Sequence, residues 1–164
     1  MERRLFVTIC CMFFSVVVSY ITVKGQVRTV PIGELTDSLR LHPKPALILL
    51  STDWCKFCQM QKAQLRKNKD FAELLDFYYF VEFNAESTEE IQFNGQTYHY
   101  RNTGVKTGTH DLAVALGQTE RGISYPTWVL MNPDFNVVFR HGGVLKPTQL
   151  IDIMKAYLLE RETK

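Results

Sequence analysis

Ser51-Thr-Asp-Trp54-Cys55-Lys-Phe-Cys58-Gln-Met60 is the stretch on which the reading of this chain turns. Two cysteines sit three positions apart, directly behind a tryptophan. The apolar run Ala46-Leu-Ile-Leu-Leu50 precedes them, and a helix-compatible run, Gln59-Met-Gln-Lys-Ala-Gln-Leu-Arg-Lys67, follows. The pair therefore falls at a strand-to-helix junction. There the first thiol meets unpaired backbone N–H groups and the positive end of a helix dipole. Both favour the thiolate, which is the reactive form. The second cysteine lies one turn further in, within reach of a mixed disulfide formed on the first. This predicts dithiol–disulfide exchange, with Cys55 as nucleophile and Cys58 as resolving thiol.

Taken alone, Cys-x-x-Cys also fits half of a zinc site or a structural disulfide. Structural zinc takes four protein ligands, so a second Cys/His pair should exist. The other cysteines, Cys10 and Cys11, lie in an N-terminal apolar segment. His42, His99, His110 and His141 are scattered, without paired spacing. No metal site and no cofactor is expected. A structural disulfide of this span closes a tiny loop and constrains the unfolded chain little.

A second signal lies downstream, in Ile123-Ser-Tyr125-Pro126-Thr127-Trp-Val-Leu-Met131. A proline just ahead of an apolar, β-branched run reads as the first residue of a strand. An ordinary trans proline would also suit that position. Together the two signals resemble the thioredoxin superfamily: Trp-Cys-x-x-Cys after a buried strand, then x-Pro-Thr before another.

The resemblance implies an α/β fold, a three-layer sandwich with a central mixed sheet flanked by helices. It implies that Pro126 is cis and faces the cysteines, and that Tyr125 offers its backbone to an incoming peptide. Thioredoxin itself carries a buried acid six positions before the first cysteine. Leu49 stands there in this chain, so the proton acceptor for Cys58 must differ. Glu82 is the only acid in Tyr78–Phe83 and is the candidate replacement; a surface-facing charge is the alternative. Between the cysteines, Lys56 adds positive charge near Cys55 and Phe57 adds an apolar face for substrate. Trp54 is expected to pack beside the site.

The chain has 164 residues, 46% apolar and 12% aromatic, which suits one globular domain with a real core. Met1-Glu-Arg-Arg4 precedes Leu5–Val23, a stretch without charge. A basic start and an apolar core have the shape of a secretory signal, and 19 residues is also enough to cross a bilayer. Residues 1–25 are read as a signal peptide or N-terminal membrane anchor, and 26–164 as the thioredoxin-like domain. Without residues 1–25 the chain keeps 16 basic and 16 acidic residues. That balance gives no reason to expect nucleic acid or an anionic membrane surface as partner. Either reading of the N-terminus places the domain outside the cytoplasm, in a periplasm or cell envelope. Disulfides persist there, and a single dithiol pair suits a redox catalyst better than a stapled scaffold.

Elements follow from periodicity. Residues 26–32 read as an entry segment or edge strand. Ile32, Leu35 and Leu39 mark a short amphipathic helix. Ala46–Ser51 reads as a central strand. A helix runs from Cys55 to about Lys69 and continues, kinked, through Phe71–Asp76. Tyr78–Asn84 reads as the next strand. An insert over about 86–108 follows, with a hairpin around Asn94-Gly95, and Arg101–Gly108 as a polar loop. Thr109 is the expected N-cap of a helix ending at Gly117. Pro126–Met131 and Asn136–His141 read as a second hairpin, and Pro147–Leu159 as the closing helix.

The expected function is an exported thiol–disulfide oxidoreductase, a reductase or isomerase more than an oxidase. Its partners would be protein thiols and disulfides, with a membrane thiol carrier as electron donor. It would act as a monomer, touching membrane only through an uncleaved N-terminal segment. The alternatives are a non-catalytic thioredoxin-like binding module and a chaperone for a soft metal ion.

Overall fold

β1 (Ala46–Ser51) is buried at all six positions, as a strand covered on both faces must be. In the computed structural model, which describes residues 27–105 and 107–163, it is the centre of the sheet. It pairs in parallel with β2 (Tyr79–Asn84) and antiparallel with β7 (Thr127–Met131). β7 pairs antiparallel with β8 (Val137–Gly142), which gives the order β2-β1-β7-β8. Residues 1–25, and with them Cys10 and Cys11, lie outside the described residues.

Strand alternation sorts the side chains of β1 between two cores. Ile48 and Leu50 join Leu35, Leu39, Val81, Leu112 and Val129 on one face. A 3-10 turn (Ile32–Glu34), α1 (Leu35–Leu41) and α4 (Asp111–Gly117) cover it. Leu47 and Leu49 join Leu65, Phe71, Phe80, Trp128, Leu150 and Met154 on the other. There α2 (Lys56–Arg66), α3 (Lys69–Leu74) and α5 (Pro147–Glu162) pack. The result is the expected helix–sheet–helix sandwich.

Several local expectations need correction. Residues 27–31 are not a strand; one bond, Val30 N–H to the Phe80 carbonyl at 2.7 Å, ties them to the sheet edge. The kinked helix is two helices. Asn68 has extended backbone, and its side-chain oxygen accepts from Phe71 N–H at 2.9 Å, so it caps α3. Asn68→Ala is expected to cost about 1 kcal/mol, read as a lower urea midpoint at unchanged slope.

The insert holds two hairpins. β3 (Ile91–Phe93) and β4 (Gln96–Tyr98) turn at Asn94 and Gly95, whose positive φ values of 47° and 78° suit a two-residue I′ turn. The expected polar loop is instead β5 (Tyr100–Gly104) paired with β6 (Thr107–His110). Its residues lack apolar alternation because most of this ribbon faces solvent. A close approach specifies it: a Cβ at Gly108 would collide with the Tyr100 ring and the Arg101 carbonyl.

The N-cap of α4 is His110, not Thr109. Its Nδ1 accepts from Leu112 N–H at 3.1 Å, and Nε2–H donates to the Glu89 carbonyl at 3.0 Å. The closing helix runs to Glu162, three residues beyond its expected end.

Candidate redox site

The N-terminus of α2 carries the chemistry. Cys55 is its N-cap, with extended backbone at φ −75° and ψ 99°. Its Sγ accepts from Cys58 N–H at 3.1 Å, and the two cysteines are joined as a disulfide. Cys55 N–H in turn donates to the Thr52 carbonyl at 3.3 Å. When the disulfide opens, the same N–H and the dipole of an 11-residue helix face the Cys55 sulfur.

Cys55 is only 5% exposed and Cys58 1%. The N-cap geometry turns the Cys55 sulfur inward onto the helix N–H. Solvent-facing surface comes instead from the flanking Trp54 and Phe57, 66% and 65% exposed. Lys56 is exposed between the cysteines.

The Tyr125–Pro126 peptide is cis. Thr127 pairs with Leu50, so Pro126 is level with Ser51, at the end of the sheet from which Cys55 departs. The Trp54 and Tyr125 rings meet edge to face at 6.3 Å. The structure therefore brings Trp54, Cys55, Cys58, Tyr125 and Pro126 to one end of the molecule. Burial raises the Tyr125 phenol above its ordinary pKa; the neighbouring Thr109 hydroxyl opposes this and the Glu86 charge adds to it. The phenol is thus neutral across the physiological range. Its oxygen is enclosed beside Thr109 without a well-formed hydrogen bond.

Glu82 pairs in register with Leu49, on the face covered by α2. Its side chain is 16% exposed and forms ion pairs with Lys62 at 3.2 Å and Arg66 at 3.4 Å. Lys62 lies one turn beyond Cys58, so the carboxylate sits under the resolving-cysteine helix, held by two cations.

Sequence reasoning missed two supports. One is a polar brace: Trp54 Nε1–H donates to Glu86 Oε2 at 3.0 Å, Glu86 N–H to Asn84 Oδ1 at 3.0 Å, and Asn84 Nδ2–H to Asp53 Oδ2 at 3.2 Å. It ties the Asp53–Trp54 loop to the end of β2. The other is the segment after β8. Gly143 N–H donates to the Pro126 carbonyl at 2.7 Å, and Leu145 N–H to Gln61 Oε1 at 2.9 Å. That segment links the proline to α2. Gln61 is buried on the inner face of α2.

Among the described residues no group of three or more His, Cys, Asp or Glu could hold a metal ion. No described helix is long and apolar enough to cross a membrane.

Comparison with known proteins agrees with this geometry. A family profile described as a thioredoxin-like domain matches residues 34–158. No curated protein sequence matches the chain. Among solved structures, a thioredoxin from Thermus thermophilus superposes with a TM-score of 0.59 at 15% identity, covering 82% of this chain and 89% of that one. A thioredoxin-fold protein from Helicobacter pylori gives 0.54 at 15%, covering 80% and 75%. A structure described as DsbH oxidoreductase gives 0.53 at 14%, covering 80% and 83%. At these identities the likeness is one of fold.

Proposed function

Because this chain belongs to the thioredoxin-like family and is a thiol–disulfide oxidoreductase, we propose that it works outside the cytoplasm, reducing or isomerising disulfides in protein substrates. The observation that carries this reading is Cys55 at the N-cap of α2, bonded to Cys58, at the end of the sheet where the cis Tyr125–Pro126 peptide enters β7. In the reduced enzyme the Cys55 thiolate attacks a substrate disulfide. One substrate sulfur bonds to Cys55, and the other leaves with the electron pair and takes a proton from solvent. Cys58 then loses its proton and attacks Cys55, forming the Cys55–Cys58 bond and releasing the second substrate sulfur. Two electrons pass to the substrate, and a dithiol donor restores the enzyme.

Trp54, Phe57 and Tyr125 supply the surface for the substrate segment, with Lys56 beside them as the local positive charge. Export is supported by the charge-free run Leu5–Val23 behind Arg3 and Arg4. A membrane-embedded thiol carrier fits that setting as donor. Catalysed reduction of insulin by dithiothreitol tests the activity, and equilibration with glutathione tests its direction. A potential near that of thioredoxin, about −270 mV, supports a reductant; one near about −120 mV overturns that direction.

Glu82 is the proposed proton acceptor for Cys58, because its carboxylate lies under α2 and no acid occupies position 49. Glu82→Gln should then slow the resolving step and alter the pH dependence of disulfide reduction. An unchanged pH profile removes Glu82 from the mechanism.

A further inference from the structure

Four buried side-chain polar atoms among the described residues have no hydrogen-bond partner: Thr52 Oγ1, Gln61 Nε2, Tyr125 Oη and Trp128 Nε1. Each belongs to a residue within three positions of Cys55, Cys58 or Pro126. Buried polar groups are almost always paired, and an orphan calls for an explanation, a redox or catalytic role among them.

Gln61 is the most constrained of the four. It is 0% exposed and falls with Cys58 and Leu65 on the inward face of α2, at the i, i+3, i+7 spacing. Long side chains on a helix lean back toward its N-terminus, over the residue one turn earlier. For Gln61 that residue is Cys58. Its Oε1 is fixed by Leu145 N–H at 2.9 Å. Swapping oxygen and nitrogen would set two donors against each other, so the amide orientation is determined. The NH2 group of this residue, one helical turn after Cys58, is left buried without an acceptor.

With the disulfide closed, Nε2 hydrogen-bonds no acceptor, the Cys58 sulfur included. In the reduced enzyme that sulfur is free to turn, and in the resolving step it becomes a thiolate, a strong acceptor. We propose that Gln61 is a catalytic residue whose Nε2–H donates to the Cys58 thiolate, stabilising it as it attacks Cys55. The step is otherwise unchanged: the Cys58 proton goes to its base, the Cys55–Cys58 bond forms, and the substrate sulfur leaves with its electron pair. The inference rests on the reading of Cys58 as the resolving thiol. It assigns a second group to that event besides Glu82, on the opposite side of the proton transfer. Glu82 takes the proton, and Gln61 holds the anion left behind.

The test uses the Cys55→Ser protein with Cys10 and Cys11 also replaced by Ser, so that Cys58 is its one thiol, followed by thiolate absorbance at 240 nm. Gln61→Met in that background is expected to lower the apparent ionisation constant of Cys58 about tenfold, as the loss of one hydrogen bond to a charged group implies. In the dithiol protein the same change should slow the resolving step, seen as a longer-lived mixed disulfide on Cys55. An unmoved Cys58 titration overturns the proposal. Should Gln61→Met fail to fold, 15N spectra of the Cys55→Ser protein decide the matter. The Gln61 side-chain NH2 resonances must follow the Cys58 titration, and indifference to it overturns the proposal equally. Insulin reduction distinguishes the two levels. Its absence, alongside a Gln61-dependent titration, sinks the proposed activity and leaves this contact standing.

Discussion

Cys55→Ser is expected to bring insulin reduction down to the uncatalysed rate, a loss of roughly 10³-fold or more, because it removes the thiolate that forms the covalent intermediate. Cys58 cannot substitute for it. Cys58 is 1% exposed and sits inside the first turn of α2, whereas Cys55 is the N-cap. Cys58→Ser should also abolish turnover, by a different route: the mixed disulfide forms and is not resolved. Both variants should keep the fold, because the disulfide closes a three-residue separation and constrains the unfolded chain little. Far-ultraviolet circular dichroism and urea midpoints of the reduced proteins check this. Residual activity above background in Cys55→Ser would move the nucleophile elsewhere.

The second large effect lies in the core. Trp128 is 0% exposed and stacks on Phe80 at 6.5 Å, with an interplanar angle of 21°. It shares a core with Leu49, Leu130 and Leu150, on the face packed by α2 and α5. Trp128→Ala is expected to cost about 3–5 kcal/mol, from lost apolar burial and the cavity left behind. Against a typical domain stability of about 5–15 kcal/mol, that is a large fraction. The urea midpoint should fall sharply at little changed slope, and the thermal midpoint with it. Part of the loss should be offset, since the indole N–H is buried without a partner. A cost below about 1 kcal/mol would mean that this face of the sheet is not packed as described.

Much of this architecture was legible in the sequence because it rests on hydrophobic period. The run Ala46–Ser51 predicts its strand to the residue, since a fully buried strand needs an unbroken apolar stretch. Asn94-Gly95 predicts its turn because few other pairs accept positive φ at both positions. Arg101–Gly108 reads as loop because the strands it belongs to bury little, so no alternation marks them. The cap of α4 was misplaced for a similar reason. Thr109 is the commoner capping type, but the buried ring of His110 reaches Leu112 N–H while its other nitrogen bonds to Glu89.

At the site, the cysteines and the proline were legible because their chemistry is carried by residue type and spacing. The supports were not. Glu86 reaching Trp54 and Gln61 reaching Leu145 join positions 32 and 84 apart in sequence, and only tertiary packing brings them together. The small exposure of Cys55 follows from how an N-cap side chain turns, which no periodicity encodes.

The central claim is that Cys55 takes the substrate and Cys58 releases it. Peptide mass spectrometry of the Cys55→Ser and Cys58→Ser variants, after incubation with a disulfide-containing protein, tests it most directly. Cys58→Ser should retain substrate as an adduct at Cys55 that dithiothreitol removes, and Cys55→Ser should retain none. Adducts on Cys58 in Cys55→Ser, with Cys58→Ser remaining bare, would contradict the account.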